Sequence, residues 1–273
     1  MVRQADLAAL DLPFARVDAF VDGPFSGNPA AVLRLDAWPD DATLLAIATQ
    51  IGLPATAFVT PAAKDGAELD LRWFSGRGEI ALCGHATLAS GHVMLDAEPA
   101  RNRVRFATRR AGVLAVERAE HGYRLDVPAL VPVSRPLPAI VAALGAGAPV
   151  ATLWHDRGYA VVVLPDEAAV AAVQPDFAAL TKAGNISVIV TAPGRDTDIV
   201  SRVFVPEHGG EDAVTGSAHA VIATYWTHRL GSPAFTARQA SPRGGRLHCR
   251  LDGERVELTG SCVTVMEGHF HLS

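Results

Sequence analysis

The stretch Leu82–Ser90, LCGHATLAS, decides the fold, because its plan returns at Val214–Ile222 as VTGSAHAVI. Each is an apolar lead-in, then a glycine beside a polar residue, then small helix formers. The spacing predicts a strand that turns through Gly84 into a helix over 84–95. The same plan predicts a glycine turn running into a second helix that ends at Gly231. Around each lies the same order of elements: strands, turn, helix, more strands. In the first half, strand patterns fall at 14–21, 30–35, 56–60 and 67–75 before the turn, and at 104–108, 113–118 and 123–127 after it. Asp40 and Asp41 open an amphipathic helix that carries Leu44, Ile47, Ala48 and Ile51 at helical spacing. The second half has strands near 150–154, 160–164, 186–191 and 199–205, and short helices near 167–173 and 177–183. Four closing strands are expected at 234–239, 246–251, 255–259 and 262–266. The fold class is therefore α+β. Two similar halves, 1–127 and 128–273, each set a mixed sheet around a central helix, and the last strand is a candidate to pack back on the first half.

Bulk composition narrows the function. The chain has 273 residues, 49% apolar and 19% charged, enough for a substantial core. A net charge of -5 gives no electrostatic reason to expect nucleic acid or an anionic membrane surface as partner. Three cysteines, Cys83, Cys249 and Cys262, are too few for a disulfide framework and fit a reducing cytoplasm. The N-terminus has no signal-peptide pattern, because acids and a proline interrupt its apolar residues. The uncharged run Pro136–Trp154 is broken by Pro and Gly, which predicts a short helix, a turn and a strand instead of a membrane span.

A helix start exposes unpaired N–H groups and the positive end of the helix dipole, and glycine lets a ligand approach them. Gly84–His85 and Thr215–Gly216–Ser217 are thus two candidate holders of a carboxylate or phosphate. The plain alternative is that both glycines only permit close packing of helix on strand. Cys83 is either a thiol activated at a helix start or a small buried hydrophobe. His85 is a general acid/base or a turn cap that orients a ligand. Asp212 is a second proton carrier or a turn residue, and Ser217 a ligand donor or an ordinary first-turn residue. His269 and His271 share a face of the last strand, but no third ligand has convincing spacing, so no metal is expected. Dinucleotide, Walker, HExxH and GxSxG motifs are absent, which leaves the chemistry to side chains and predicts no cofactor.

Five blocks together resemble the PhzF-like family of isomerases, named for a phenazine-biosynthesis enzyme. They are VDAFVDGPFSGNPAAVL, LRWFSGRGEIALCGHATLASGHVM, EDAVTGSAHAVIATYWTHRLG, ARQASPRGGRL and RVELTGSCVTVMEGHFHL. The resemblance runs from about Phe14 to the C-terminus. It implies the diaminopimelate-epimerase-like fold, two pseudo-symmetric halves with a ligand cleft between them, a homodimer, and proton transfer on a small carboxylate without metal or organic cofactor. Residue by residue it implies roles for His85, Asp212 and Ser217, with backbone amides near Gly84–His85 and Gly216–Ser217 on the substrate carboxylate. Asn28 is implied to lie in a loop bordering the cleft. Two positions depart from the pattern. The family's acid/base glutamate, in a segment resembling NLSETAFV, falls on Ala55 of IGLPATAFV, and proline gives way to Ala213. More distant epimerases of the fold use two facing cysteines. Cys83 matches the first, but the partner position is Ala213.

Three functions follow from these residues. The first is a cofactor-independent isomerase whose proton travels through Asp212, His85 or Cys83, in that order. The second is an anion-binding member of the fold that has lost catalysis with the glutamate. The third is a racemase, epimerase or lyase that depends on Cys83.

Overall fold

The computed structural model describes residues 10–62, 66–208 and 210–272. The leader reading of the first nine residues and Gly209 of the second glycine turn lie outside these. By internal contacts the chain forms two units. The first comprises the residues through Val21, Asn28–Asp126 and those from Thr259 onward. The second comprises Asp22–Gly27 and Val127–Leu258. The hairpin Asp22–Gly27 therefore groups with the second unit, and the end of the chain groups with the first.

The first unit is a ring of eight strands. They are β1 (Leu10–Val21), β2 (Asn28–Arg34), β3 (Ala55–Pro61), β4 (Leu69–Ser75), β6 (Arg103–Thr108), β7 (Val113–Ala119), β8 (Gly122–Pro128) and β17 (Arg255–Leu272). Pairing runs β1–β2 antiparallel, β2–β3 parallel, β3–β4 antiparallel, β4–β6 parallel, and β6–β7 and β7–β8 antiparallel. β17 pairs with β8 and with β1 and closes the circle. A three-residue strand β5 (Gly78–Ile80) folds back on β4. Two helices make the parallel crossovers. α1 (Asp41–Ile51) links β2 to β3, and α2 (Gly84–Asp96) links β4 to β6. Outside the ring, Leu44, Ile47 and Ala48 of α1 bury Ala31, Leu33, Phe58 and Phe74. By the two-residue period of a strand, Ala15, Val17, Ala30, Val32, Ala55 and Ala57 point to the other face, and α2 packs there against β1, β2, β3, β6 and β7. This helix is buried from Gly84 through His92. Its all-round run of small residues suits a helix enclosed on every side.

The second unit repeats this order. β10 (Ala151–His155) pairs antiparallel with β11 (Tyr159–Val163), and β11 runs parallel to β12 (Ser187–Pro193). β12 is antiparallel to β13 (Ile199–Val205), which is parallel to β15 (Ala234–Gln239), itself antiparallel to β16 (Gly245–Asp252). A short β14 (Gly210–Asp212) folds back on β13 as β5 does on β4, and a two-residue β9 (Val133–Ser134) edges β10. The helix between β14 and β15, α6 (Gly216–Leu230), packs against β11, β15 and β16. Three short helices, α3 (Pro138–Ala143), α4 (Glu167–Ala172) and α5 (Phe177–Thr181), share a core with Ala160, Val162, Val188, Val190 and Phe204.

One expected boundary is corrected. The strands read at 255–259 and 262–266 are a single strand, β17, because Gly260–Ser261 is not a turn. Phe20 has a positive φ of 60° where the β1–β17 register shifts. A Cβ on Gly260 would lie 2.5 Å from the Phe20 ring. The glycine is a landing place for an aromatic ring in an unbroken strand.

Candidate functional site

The helix starts fall into two sets, with the short α3, which begins at Pro138 after an uncapped Leu137, on the uncapped side. α1, α4 and α5 begin with aspartates, Asp40, Asp166 and Asp176, each accepting from a first-turn backbone N–H. α2 and α6 begin at Cys83 and Thr215 with extended backbone, φ -134° and -116°, and among the described residues neither side chain caps its helix. Neither has an acid in its first turn. The early N–H groups of both long helices thus take no acceptor from their own N-cap side chains.

In the first unit, Gly84 and His85 are buried in the first turn of α2. The Cys83 Sγ lies 3.6 Å from His85 Nδ1, a weak thiol–imidazole contact. Thr87 ties the turn down, its hydroxyl donating to the Cys83 carbonyl at 2.6 Å. The loop before Cys83 is anchored through β5. Arg72 donates to Glu79 at 2.7 Å and to Asp41 at 2.8 Å, and these bonds hold both carboxyls below their usual range. Ala55 opens β3 opposite Ala30 of β2 and is fully buried. Asn28 is the first residue of β2, paired with Ala19 and buried, so the loop expected for it ends one residue earlier.

In the second unit, Asp212 closes β14. Its Oδ1 accepts from the Ala213 N–H at 3.0 Å and its Oδ2 from the Thr215 hydroxyl. Proline, which the resemblance implies at 213, has no N–H to give, so the Ala213 substitution adds this hold on the carboxylate. A carboxylate has room for further donors beyond these two. Gln239 locks the turn: its Oε1 accepts from Thr215 N at 2.8 Å and its Nε2 donates to the Asp212 carbonyl at 2.8 Å. Ser241 donates to the Ala213 carbonyl at 2.7 Å. Below them, His219 is fully buried, and burial lowers its pKa to about 4. Neutral His219 donates from Nδ1 to the Thr215 carbonyl at 2.8 Å, which leaves Nε2 to accept from Ser201 at 3.3 Å. Gly216 is buried and Ser217 half-buried at the start of α6. Sequence reasoning missed Gln239, Ser241 and Ser201. Gln239 and Ser241 lie within the ARQASPRGG block that carried part of the resemblance, but 24 or more residues from the turn they hold.

The remaining histidines and cysteines do other work. His92 and Cys249 are buried, and burial pushes the Cys249 thiol up. His269 and His271 both approach Asp11, at 2.8 and 3.3 Å. No group of three metal-ligating side chains occurs among the described residues. No helix among them is long and apolar enough to cross a membrane.

Strand pairing, crossovers and enclosed helices define the epimerase-type fold. A hydroxyproline epimerase of Agrobacterium vitis superposes with a TM-score of 0.66 at 12% identity, covering 96% of this chain and 93% of that one, a likeness of fold alone. The chain belongs to the phenazine biosynthesis-like PhzC-PhzF family, whose model matches residues 17–268. An uncharacterized isomerase of Pseudomonas aeruginosa is 45% identical over 97% of this chain and 100% of its own length. A PhzF-family crystal structure from Enterococcus faecalis has a TM-score of 0.86 at 40% identity, covering 96% of this chain and 100% of that one.

Proposed function

We propose that the protein is a cofactor-independent isomerase that moves a proton within a small carboxylate substrate, without the glutamate its family resemblance implies. The observation that carries this reading is that α2 and α6 are the long helices led by a buried glycine with no side-chain cap, whereas α1, α4 and α5 are capped by aspartates and the six-residue α3, also uncapped, begins with Pro138. Backbone N–H groups at Gly84–His85 and Gly216–Ser217 serve the substrate carboxylate. Asp212 is the leading proton carrier, with its side chain fixed by Ala213 and Thr215. His85 is the second candidate and Cys83 the third. Three cysteines in the whole chain and the family resemblance support a cytoplasmic homodimer as part of the same proposal.

Two observations favour other readings. Ala55, a buried methyl where a carboxylate is implied, favours a binding protein that has lost catalysis. The 3.6 Å contact of Cys83 with His85 favours a thiol-dependent racemase, epimerase or lyase. One experiment separates the three. The purified protein is screened by thermal shift against small cyclic and amino-acid-derived carboxylates, and each stabilising compound is then followed by NMR for isomerisation. Turnover that survives thiol alkylation supports the proposal. Stabilisation without turnover supports the binding reading, and turnover abolished by alkylation supports the thiol reading.

A further inference from the structure

The far end of α2 carries a second group of polar side chains. At about 1.5 Å per residue, Asp96 lies roughly 16 Å along the helix from His85. A cavity of about 340 Å³ opens beside it, with Arg34, Asp96, Thr264 and Glu267 in its lining and Phe14, Val32 and Val93 among its apolar walls. The register explains the grouping. Ala15 faces Val32 on one side and Glu267 on the other, and Thr264 faces Val17, so these residues meet at one mouth of the ring.

Hydrogen-bond directions fix what the cavity offers. The Tyr123 hydroxyl donates to Asp96 Oδ1 at 2.6 Å. With that proton committed, the 3.0 Å contact between Tyr123 and His92 Nδ1 requires the imidazole to donate. Burial lowers the His92 pKa, so the ring is neutral and Nε2 bare. Nε2 then accepts from Thr264 Oγ at 2.8 Å. The Thr264 proton is used inward, and only its lone pairs remain for the cavity. Glu267 adds carboxylate oxygens, whereas Asp96 is already engaged by Tyr123, by Arg118 at 3.6 Å and by His92 at 3.4 Å. Among the described residues, the one cation in the lining is Arg34. Among the described residues Arg34 forms no ion pair with either acid, although all three line one cavity. Glu267 and Arg34 are opposite charges that share the cavity without pairing with each other, which leaves a gap for a molecule carrying both.

We propose that this mouth binds a small zwitterion, an α-amino acid with a short aliphatic side chain. Its carboxylate sits on the Arg34 guanidinium, its ammonium between Glu267 and the Thr264 hydroxyl oxygen, and its side chain against Phe14, Val32 and Val93. The test is isothermal titration of the full chain with glycine, L-alanine and L-valine, and with isobutylamine and isobutyrate, which carry one charge each. At least one amino acid is expected to bind 10-fold or more tighter than either single-charge probe. Arg34→Ala and Glu267→Gln, both at exposed positions, are each expected to weaken it by at least 10-fold while unfolding at the parent's temperature. The His85→Ala/Asp212→Asn double variant is expected to bind it as the parent does. No binding by any of the three amino acids, equal affinity for the single-charge probes, or loss of binding in the double variant would each overturn the proposal. The double variant also keeps this test separate from that of the isomerase reading.

Discussion

Gly91, in the middle of α2, is the position most sensitive to how tightly the ring grips its helix. A Cβ there would lie 2.3 Å from Val116 Cγ1, 2.4 Å from its Cβ and 2.8 Å from its Cγ2. Taken alone, Gly→Ala in a helix interior stabilises by up to about 1 kcal/mol. Here the added methyl needs about 1 Å or more of movement. Val116 is fully buried, β-branched and paired on both sides, with Val104 and Leu125. Overpacking of this kind costs about 1–3 kcal/mol, and more when backbone must move. Gly91→Ala is therefore expected to be destabilised by about 1–3 kcal/mol in urea unfolding followed by circular dichroism. Val116→Ala alone loses two buried methyl groups, about 2 kcal/mol, plus a cavity term. In the double variant the 2.3 and 2.8 Å approaches to Cγ1 and Cγ2 are gone and only the 2.4 Å approach to the Cβ of residue 116 remains, so the clash is partly relieved and the two losses should fall short of additive by about 1 kcal/mol. A Gly91→Ala chain as stable as the parent, or additive losses, would refute the close approach of α2 to β7.

Two further outcomes follow from burial. His219 titrates at about 4 when folded and near 6.5 when unfolded, so between those values the unfolded chain binds more protons and stability falls as pH falls. His219→Gln should lose up to about 3 kcal/mol of that dependence between pH 7 and pH 4, read as a smaller shift of the urea midpoint; a midpoint that moves as in the parent contradicts the buried neutral ring. Ala55→Glu places a carboxyl at a fully buried position, where its folded pKa rises above the unfolded value near 4.3. Its cost should therefore grow as pH rises above 4, to about 2–4 kcal/mol at pH 8, and a pH-independent cost would show that the side chain escapes to water.

The repeated strand–turn–helix plan was legible because glycine turns and small-residue helices leave strong local patterns. α2 and α6 begin where Gly84 and Gly216 place them. β5, β9 and β14 were not legible, since two or three residues carry no period. The continuity of β17 was hidden because Gly260–Ser261 reads locally as a turn, and its true partner, Phe20, lies at the other end of the chain. The helix-start residues of the candidate site were visible as residue types. The hold of Gln239 and Ser241 on the Asp212–Thr215 turn comes from long-range hydrogen bonds that no local pattern encodes.

Proton transfer through Asp212 is tested most directly by NMR deuterium wash-in. The parent chain and Asp212→Asn are incubated in D₂O with each carboxylate that stabilises the protein. The parent is expected to exchange a C–H of at least one compound, and Asp212→Asn to exchange it about 10²-fold more slowly or worse. Exchange at the parent's rate in Asp212→Asn would contradict the assignment.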